Sequence, residues 1–324
     1  MMLPVAVFLL GLSLLVWSAD RFVASASALA HRLGVSHALI GLTVIALGTS
    51  APEILVSASA ATQGATDMAL GNALGSNVAN VGLVLGVVLI MATVPVTGGL
   101  MDKQAGALIV ATLAIALMLG NLSLGRPESI ALLLGLVSFI VWTFFEARRH
   151  RRLADQSARL ASEQIPTDLS LRQASVWLAL GLATLLASSH ALVWSASLIA
   201  RNLGISDLII GTTLVAIGTS LPELATAISS TLKRQHGMTL GNIMGSNIFN
   251  ILAVVGVAGL IQPARFEPEV LYRDVLFVVV TTGLLIMLIR FYGPRTGSIP
   301  RLFGILLLGL YAAYLFMNYR AIAL

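Results

Sequence analysis

Apolar residues in this chain gather into runs of about 20, the length an α-helix needs to cross the hydrocarbon core of a bilayer. Five runs fall near residues 3–19, 38–61, 68–91, 104–121 and 129–145, and five more near 174–200, 208–232, 238–261, 270–289 and 302–319. Charged residues thin out inside the runs and crowd into the gaps, most of all into the central one. The pattern predicts an all-α, polytopic membrane protein with ten transmembrane helices. The first run has no basic residue before it and no small-x-small cleavage site ahead of Asp20, so it reads as a retained helix. It is expected to continue past Asp20 and Arg21 to about Ala30, with the charged pair snorkelling or lining an aqueous face.

Composition sharpens this. Only 10% of the 324 residues are Asp, Glu, Lys or Arg, against roughly a quarter in soluble domains, and 57% are hydrophobic. Too little polar surface exists to wet the outside of such a globule, which excludes an ordinary cytosolic enzyme. The absence of cysteine excludes a disulfide framework and any thiolate metal site. The net charge of +5 is explained by its placement. Six arginines lie between Arg148 and Arg172, and short basic loops stay on the cytoplasmic side. Counting outward from that loop, 14 of the 19 Lys and Arg fall on the cytoplasmic side and both termini fall outside. Topology accounts for the basicity, so no nucleic-acid partner is expected.

The chain also repeats itself. Residues 33–86 align without a gap onto 203–256 at a constant offset of 170, with 23 identities in 54 positions. Each half holds five helices, an odd number, so the second copy must be inverted relative to the first. Inverted repeats place the substrate site at their interface near the midplane. The expected organisation is a five-helix repeat over 1–146 with its core motif at 41–86, a short basic cytoplasmic linker over 147–173, and a second, inverted repeat over 174–324 with its core motif at 211–256.

Of the 14 acidic residues, twelve are expected in loops or at helix ends within reach of water. Glu53 and Glu223 instead sit mid-run, where each costs roughly 2.5–3.5 kcal/mol to insert. A lone buried Glu is sometimes a protonated hydrogen-bonding group; two at symmetric positions point to a site. Pro52 and Pro222 cannot donate a backbone hydrogen bond, so the carbonyls of Gly48 and Gly218 lose their helical partners beside each carboxylate. Hydroxyls of Thr49, Ser50, Thr219 and Ser220 lie in the same turn. The next helix of each half carries a polar stripe, Asn72, Ser76 and Asn80, then Asn242, Ser246 and Asn250, spaced i, i+4, i+8. The Gly71/Gly75 and Gly241/Gly245 pairs alone indicate close helix packing. Every candidate donor is oxygen, which is hard-cation chemistry and suits Ca²⁺ better than copper. The same oxygens can hold Na⁺ or protons. The five histidines are expected near helix ends, and no HExxH metalloprotease motif or other hydrolase constellation is present, so an enzyme is not expected.

Gly-Thr-Ser-Ala-Pro-Glu at 48–53 with Gly-Asn-Ala-Leu-Gly-Ser-Asn-Val-Ala-Asn at 71–80, and their counterparts at 218–223 and 241–250, resemble the paired alpha-repeats of the sodium/calcium exchanger family. The chain is similar to the YrbG-type bacterial branch of these cation/calcium antiporters. The resemblance implies a ten-helix antiporter of the bacterial inner membrane that exchanges Ca²⁺ for Na⁺, with Ca²⁺ for H⁺ as the alternative. It implies no cofactor and no protein partner beyond the transported ions and the bilayer. It further implies a calcium cage of Glu53, Glu223 and the carbonyls of Thr49 and Thr219, around which helices 2, 3, 7 and 8 close. Sodium sites would add Ser50, Ser220, Ser76, Ser246 and the carbonyls of Ala46 and Ala216, with Asn80 and Asn250 also in the site. Helices 1 and 6 resemble the pair that slides to alternate access. Several relatives place Asp where this chain has Asn250, so K⁺ cotransport is not expected. The linker is too short for a regulatory calcium-binding domain.

Overall fold

The computed structural model describes residues 2–96, 100–157, 169–204 and 216–323. Within them, eight helices are long and apolar enough to cross a membrane, and a bent pair makes a ninth span. In chain order we label them α1 (Met2–Leu33), α2 (α2a, His37–Thr49, and α2b, Ala51–Thr62), α3 (Thr66–Met91), α4 (Leu100–Met118), α5 (Arg126–Ser157) and α6 (Leu171–Asn202). The rest are α7 (α7a, Ala216–Thr219, and α7b, Leu221–Leu232), α8 (His236–Ile261), α9 (Val270–Tyr292) and α10 (Leu302–Ala323). The start of the run expected at 208–232, and residues 158–168 of the expected linker, lie outside the described residues.

The helices extend past their apolar windows where side chains permit. α1 runs on beyond Asp20 and Arg21, which stay exposed but find partners: Asp20 Oδ1 meets Lys233 Nζ at 2.6 Å, and the Arg21 guanidinium lies 6.0 Å from the Trp177 ring centroid. α5 overruns its expected end at 145 because good helix formers follow; Arg148 folds back over the Phe144 ring at 4.4 Å. α6 starts at Leu171, three residues early, on a capping box in which Ser170 Oγ accepts from Gln173 N and Gln173 Oε1 accepts from Ser170 N.

Burial separates a core from a rim. α8 is 89% and α3 72% buried in their most apolar windows, while α1, α5, α6 and α10 are buried over 22–28%. The core is joined backbone to backbone. A Cβ at Gly241 would collide with the Ala38 carbonyl oxygen, one at Gly245 with that of Leu42, and one at Gly41 with that of Met238. Main chain meets main chain at these glycines, the close packing that the Gly241/Gly245 spacing suggested; Gly71 and Gly75 do not pack so, since a Cβ at Gly71 would meet nothing within 4 Å and one at Gly75 only Tyr314. In the rim, α1 and α6 cross through reciprocal contacts: a Cβ at Gly11 would lie 3.1 Å from Leu192, and one at Gly181 3.0 Å from Phe22. Positions 11/181 and 22/192 are each 170 apart, so each contact is the symmetry mate of the other. Two short antiparallel ladders staple the ends, β1 (Val94–Pro95) with β4 (Ser298–Ile299) and β2 (Ser123–Leu124) with β3 (Ala264–Arg265).

Among the acidic residues expected within reach of water whose burial is described, two are buried. Asp274 takes hydrogen bonds from Arg273 Nη2 at 2.8 Å and Nε at 3.0 Å, and from Tyr314 OH at 2.9 Å; Glu146 pairs with Lys103 Nζ at 2.7 Å. Asp274 sits near the start of α9, as expected, whereas Glu146 lies well inside α5, which runs on to Ser157; neighbouring helices cover both and a basic partner makes that tolerable.

The α2a–α8 contact predicts that Gly241→Ala is destabilised by about 1–3 kcal/mol through overpacking, whereas Gly309→Ala, on the exposed face of α10, is not. Thermal unfolding in detergent should show a clear drop in Tm for the first variant only.

Candidate ion site

Each repeat breaks a helix at a serine. α2 bends by 41° between Thr49 and Ala51, and α7 is interrupted between Thr219 and Leu221. Ser50 has φ −83°, ψ 1° and Ser220 φ −89°, ψ 3°, the bridge conformation, which neither α2b nor α7b can continue. Pro52 and Pro222 explain the position: each is the second residue of a new helix, where a missing N–H costs nothing. Glu53 and Glu223 follow in the first turn, where helix N–H groups favour an anion. The main-chain N–H of each glutamate lies beside its own carboxyl.

The two carboxyls are buried, at 1% and 2% exposure, and lie within electrostatic reach of each other. Glu223 has the hydroxyls of Thr49 and Ser50 from the other repeat beside it. The helices reciprocate: α7b packs on the π-helical stretch that opens at Asn80, and α2b on the one that opens at Asn250. Such stretches often mark functional sites. Thr49, Ser50, Ser76, Asn80, Ser220, Ser246 and Asn250 are all buried.

Unmet bonding capacity concentrates here at paired positions, although Gln104, Ser229, Gln235 and His236 also leave buried atoms unpartnered elsewhere. Ser50 Oγ, Glu53 Oε2, Asn80 Oδ1, Ser220 Oγ, Glu223 Oε2, Ser246 Oγ and Asn250 Oδ1 are buried and have no hydrogen-bond partner. Protein interiors satisfy nearly all buried polar atoms, so oxygens left open at paired positions of two repeats fit a cation as the missing partner. Among the described residues no three His, Cys, Asp or Glu side chains cluster; the donors are two carboxylates and neutral oxygens, a hard-ion set.

Some expectations need refinement. The Gly218 carbonyl, expected to be free, accepts from Ser189 Oγ of α6 at 3.1 Å; the symmetry-related residue in α1 is Ala19, which has no hydroxyl. The Ala46 carbonyl accepts from Ser50 N at 2.9 Å and Thr49 Oγ1 at 3.4 Å, leaving limited capacity for an ion. For Thr219 and Ala216 the backbone is placed in α7a. Asn72 and Asn242, left open by the sequence, tie helices together: Asn72 Nδ2 donates to Ser57 Oγ at 3.0 Å, and Asn242 Nδ2 to Thr226 Oγ1 at 3.2 Å. His190 is exposed in mid-α6 rather than near its end. Asn77 and Asn247 were missed, although both are 1% exposed and Asn247 accepts from Asn80 Nδ2 at 3.0 Å. They fall off the i, i+4, i+8 stripe; their presence in both Gly-Ser-Asn triplets was the available signal.

Broken helices from two repeated halves, each bringing a buried glutamate to the core, fit a membrane transporter rather than an enzyme. A family model for the sodium/calcium exchanger protein matches residues 3–145 and again 174–320. The chain is 44% identical to CaxA of Alkalimonas amylolytica, over 99% of this chain and 100% of that one. It is 34% identical to the inner membrane protein YrbG of Escherichia coli (strain K12), over 98% of each. Its fold superposes on the sodium-calcium exchanger NCX_Mj, soaked with 2.5 mM Na⁺ and 0.1 mM Ca²⁺, with a TM-score of 0.81, 33% identity and 97% coverage of both chains. The chain belongs to the sodium/calcium exchanger family.

Glu53→Gln and Glu223→Gln keep volume and hydrogen-bonding shape, so each is expected to fold with a near-normal Tm. A ligand at 100 times its Kd adds roughly 2.7 kcal/mol of stability; that Ca²⁺-dependent rise in Tm is expected to vanish in both variants. A retained rise would remove the carboxylate concerned from the site.

Proposed function

We propose that this protein is a secondary antiporter that exchanges Ca²⁺ for Na⁺, with Glu53 and Glu223 binding both ions in turn. The observation that carries the reading is a pair of buried carboxyls within electrostatic reach of each other amid buried oxygens without partners. Two ionised carboxylates match the charge of one Ca²⁺ or of two Na⁺. Leaving both ionised and unaccompanied in a dry core is expensive, so the empty site resists moving between access states and leak is suppressed. Thr49, Ser50, Ser76, Asn80, Ser220, Ser246 and Asn250, with the carbonyls of Ala46, Thr49, Ala216 and Thr219, supply the neutral oxygens. NCX_Mj, whose structure was soaked with both ions, supports the choice. Purified protein in liposomes should take up ⁴⁵Ca²⁺ when Na⁺ is loaded inside and diluted outside, with no uptake under a pH gradient alone. Uptake driven only by protons would replace Na⁺ with H⁺ and leave the site in place.

The protein is further read as an inner-membrane protein with both termini outside and the 147–173 linker in the cytoplasm. On that topology α7b is the cytoplasmic half of its span and α2b the external half of its own. α1 packs along α7b, while α6 has no comparable packing along α2b. Leu55 and Val56 on α2b are 71% and 42% exposed, whereas Thr226, the mate of Val56, is 2% exposed. α1 is also tied to the cytoplasmic end by the Asp20–Lys233 pair and by Gln235 Nε2 donating to Ser27 Oγ at 2.8 Å. The mates of Asp20, Lys233 and Gln235 are His190, Gln63 and Ala65, which include no acid and so cannot form such an ion pair. These contacts support a conformation closed to the cytoplasm and favouring exit to the outside.

Ser229 lines a crevice of about 270 Å³ between α1 and α7b. Because the chain has no cysteine, a single Ser229→Cys thiol reports on that crevice. Adding Lys233→Gln is expected to raise its labelling by an impermeant maleimide in inside-out vesicles several-fold; equal labelling would remove the pair from the gate.

A further inference from the structure

The amide of Asn80 can present two different faces to its surroundings, and only one suits a cation. Its oxygen accepts and its nitrogen donates, so an ion ligand must turn Oδ1 inward and Nδ2 away. The structure contains a chain of contacts that dictates this choice. It begins at the main-chain carbonyl of Asn77, which can only accept. Asn247 Nδ2 donates to that carbonyl in a long hydrogen bond of 3.5 Å, and this turns Asn247 Oδ1 toward Asn80. Asn80 Nδ2 then donates to Asn247 Oδ1 at 3.0 Å. Asn80 Oδ1 is left buried and without a partner, among the other open oxygens of the candidate ion site.

The symmetry mate of this relay is not made. Asn77 occupies the position of Asn247, and Asn250 that of Asn80. Yet Asn77 Oδ1 and Nδ2 both lack partners, and Asn250 Oδ1 lacks one too. One repeat therefore holds its asparagine by a directed bond and the other does not.

We infer that Asn247 is a positioning residue that aims the Asn80 carbonyl oxygen at the transported cation, and that Asn250 receives no equivalent help from Asn77. The inference rests on the cation-site reading given above and adds a residue to it. Asn247 touches no ion. Removing its side chain frees the Asn80 amide to rotate, so a fraction of molecules present an –NH2 group to the cation and the affinity falls while the turnover machinery stays intact.

The test is ⁴⁵Ca²⁺ uptake into Na⁺-loaded proteoliposomes, read as half-saturating Ca²⁺ concentration and maximal rate, together with competition by external Na⁺. Four variants are compared: Asn80→Ala, Asn247→Ala, the double variant, and Asn77→Ala. Asn80→Ala and Asn247→Ala are each expected to raise the half-saturating concentration of Ca²⁺ or of competing Na⁺ about five- to tenfold, with the maximal rate largely kept. Because Asn247 acts through Asn80, the double variant is expected to be no worse than Asn80→Ala alone, a non-additivity that a merely structural role would not give. Asn77→Ala leaves its main-chain carbonyl in place and is expected to match the unmodified protein. Should Asn247→Ala fail to fold, Asn247→Leu, which keeps the volume and removes the acceptor, carries the same expectation. An unshifted Asn247 variant, effects that multiply in the double variant, or an Asn77→Ala shift as large as that of Asn247→Ala overturns the inference while sparing the site. An unshifted Asn80→Ala overturns it together with the assignment of Asn80 as a ligand.

Discussion

Two carboxyls buried within electrostatic reach of each other resist being ionised together unless a cation accompanies them, because burial strips both of water. The surroundings of Glu53 and Glu223 follow from that constraint. The helices are broken beside them, so that each carboxylate sits in the first turn of a new helix where backbone N–H groups face it. The hydroxyls of Thr49 and Ser50 reach across from one repeat to the glutamate of the other. Elsewhere in the molecule a buried acid is neutralised by protein: Asp274 by Arg273 and Tyr314, Glu146 by Lys103. Among the described residues no Lys or Arg pairs with Glu53 or Glu223, and on the proposed reading the balance is left to a cargo that can arrive and leave.

Much of this was legible in the sequence, for reasons that differ by feature. The spans were readable because the bilayer sets a length that apolar runs must meet. The two glutamates stood out because a charge in such a run is costly, and the breaks because proline lacks an N–H. Less could be read where the deciding atom comes from another part of the chain. Nothing around Gly218 shows that Ser189, 29 residues away, takes its carbonyl. The burial of Asp274 depends on Tyr314, forty positions on. Asn247 escaped notice because helical periodicity sorts residues into faces, and a residue just off the favoured face can still reach across a tight interface. Helix ends drifted as well, since hydropathy measures lipid contact while α5 and α6 obey capping and propensity.

The two halves are alike in skeleton and unlike in detail, and the differences have direction. Paired strands, broken helices and the π-helical stretches at Asn80–Leu85 and Asn250–Val255 recur at equivalent positions, and the Gly11–Leu192 and Gly181–Phe22 contacts mirror each other. Against that regularity, the Asp20–Lys233 pair, the Ser189 hydroxyl on the Gly218 carbonyl and the bond between Asn80 and Asn247 each exist on one side alone. A perfectly symmetric duplication would have equal free energies for its two mirror-image conformations; each one-sided bond tilts that balance.

The contact between α2a and α8 leads elsewhere. Gly41, Gly241 and Gly245 bring two main chains together with nothing between them, so the spacing is set by covalent geometry and not by interchangeable side chains. A joint of that kind offers evolution no intermediate sizes to sample: any residue larger than glycine forces the backbones apart. Adaptation of this protein to a membrane of different thickness or fluidity must therefore be written on its rim, in α1, α5, α6 and α10, while the inner quartet stays frozen.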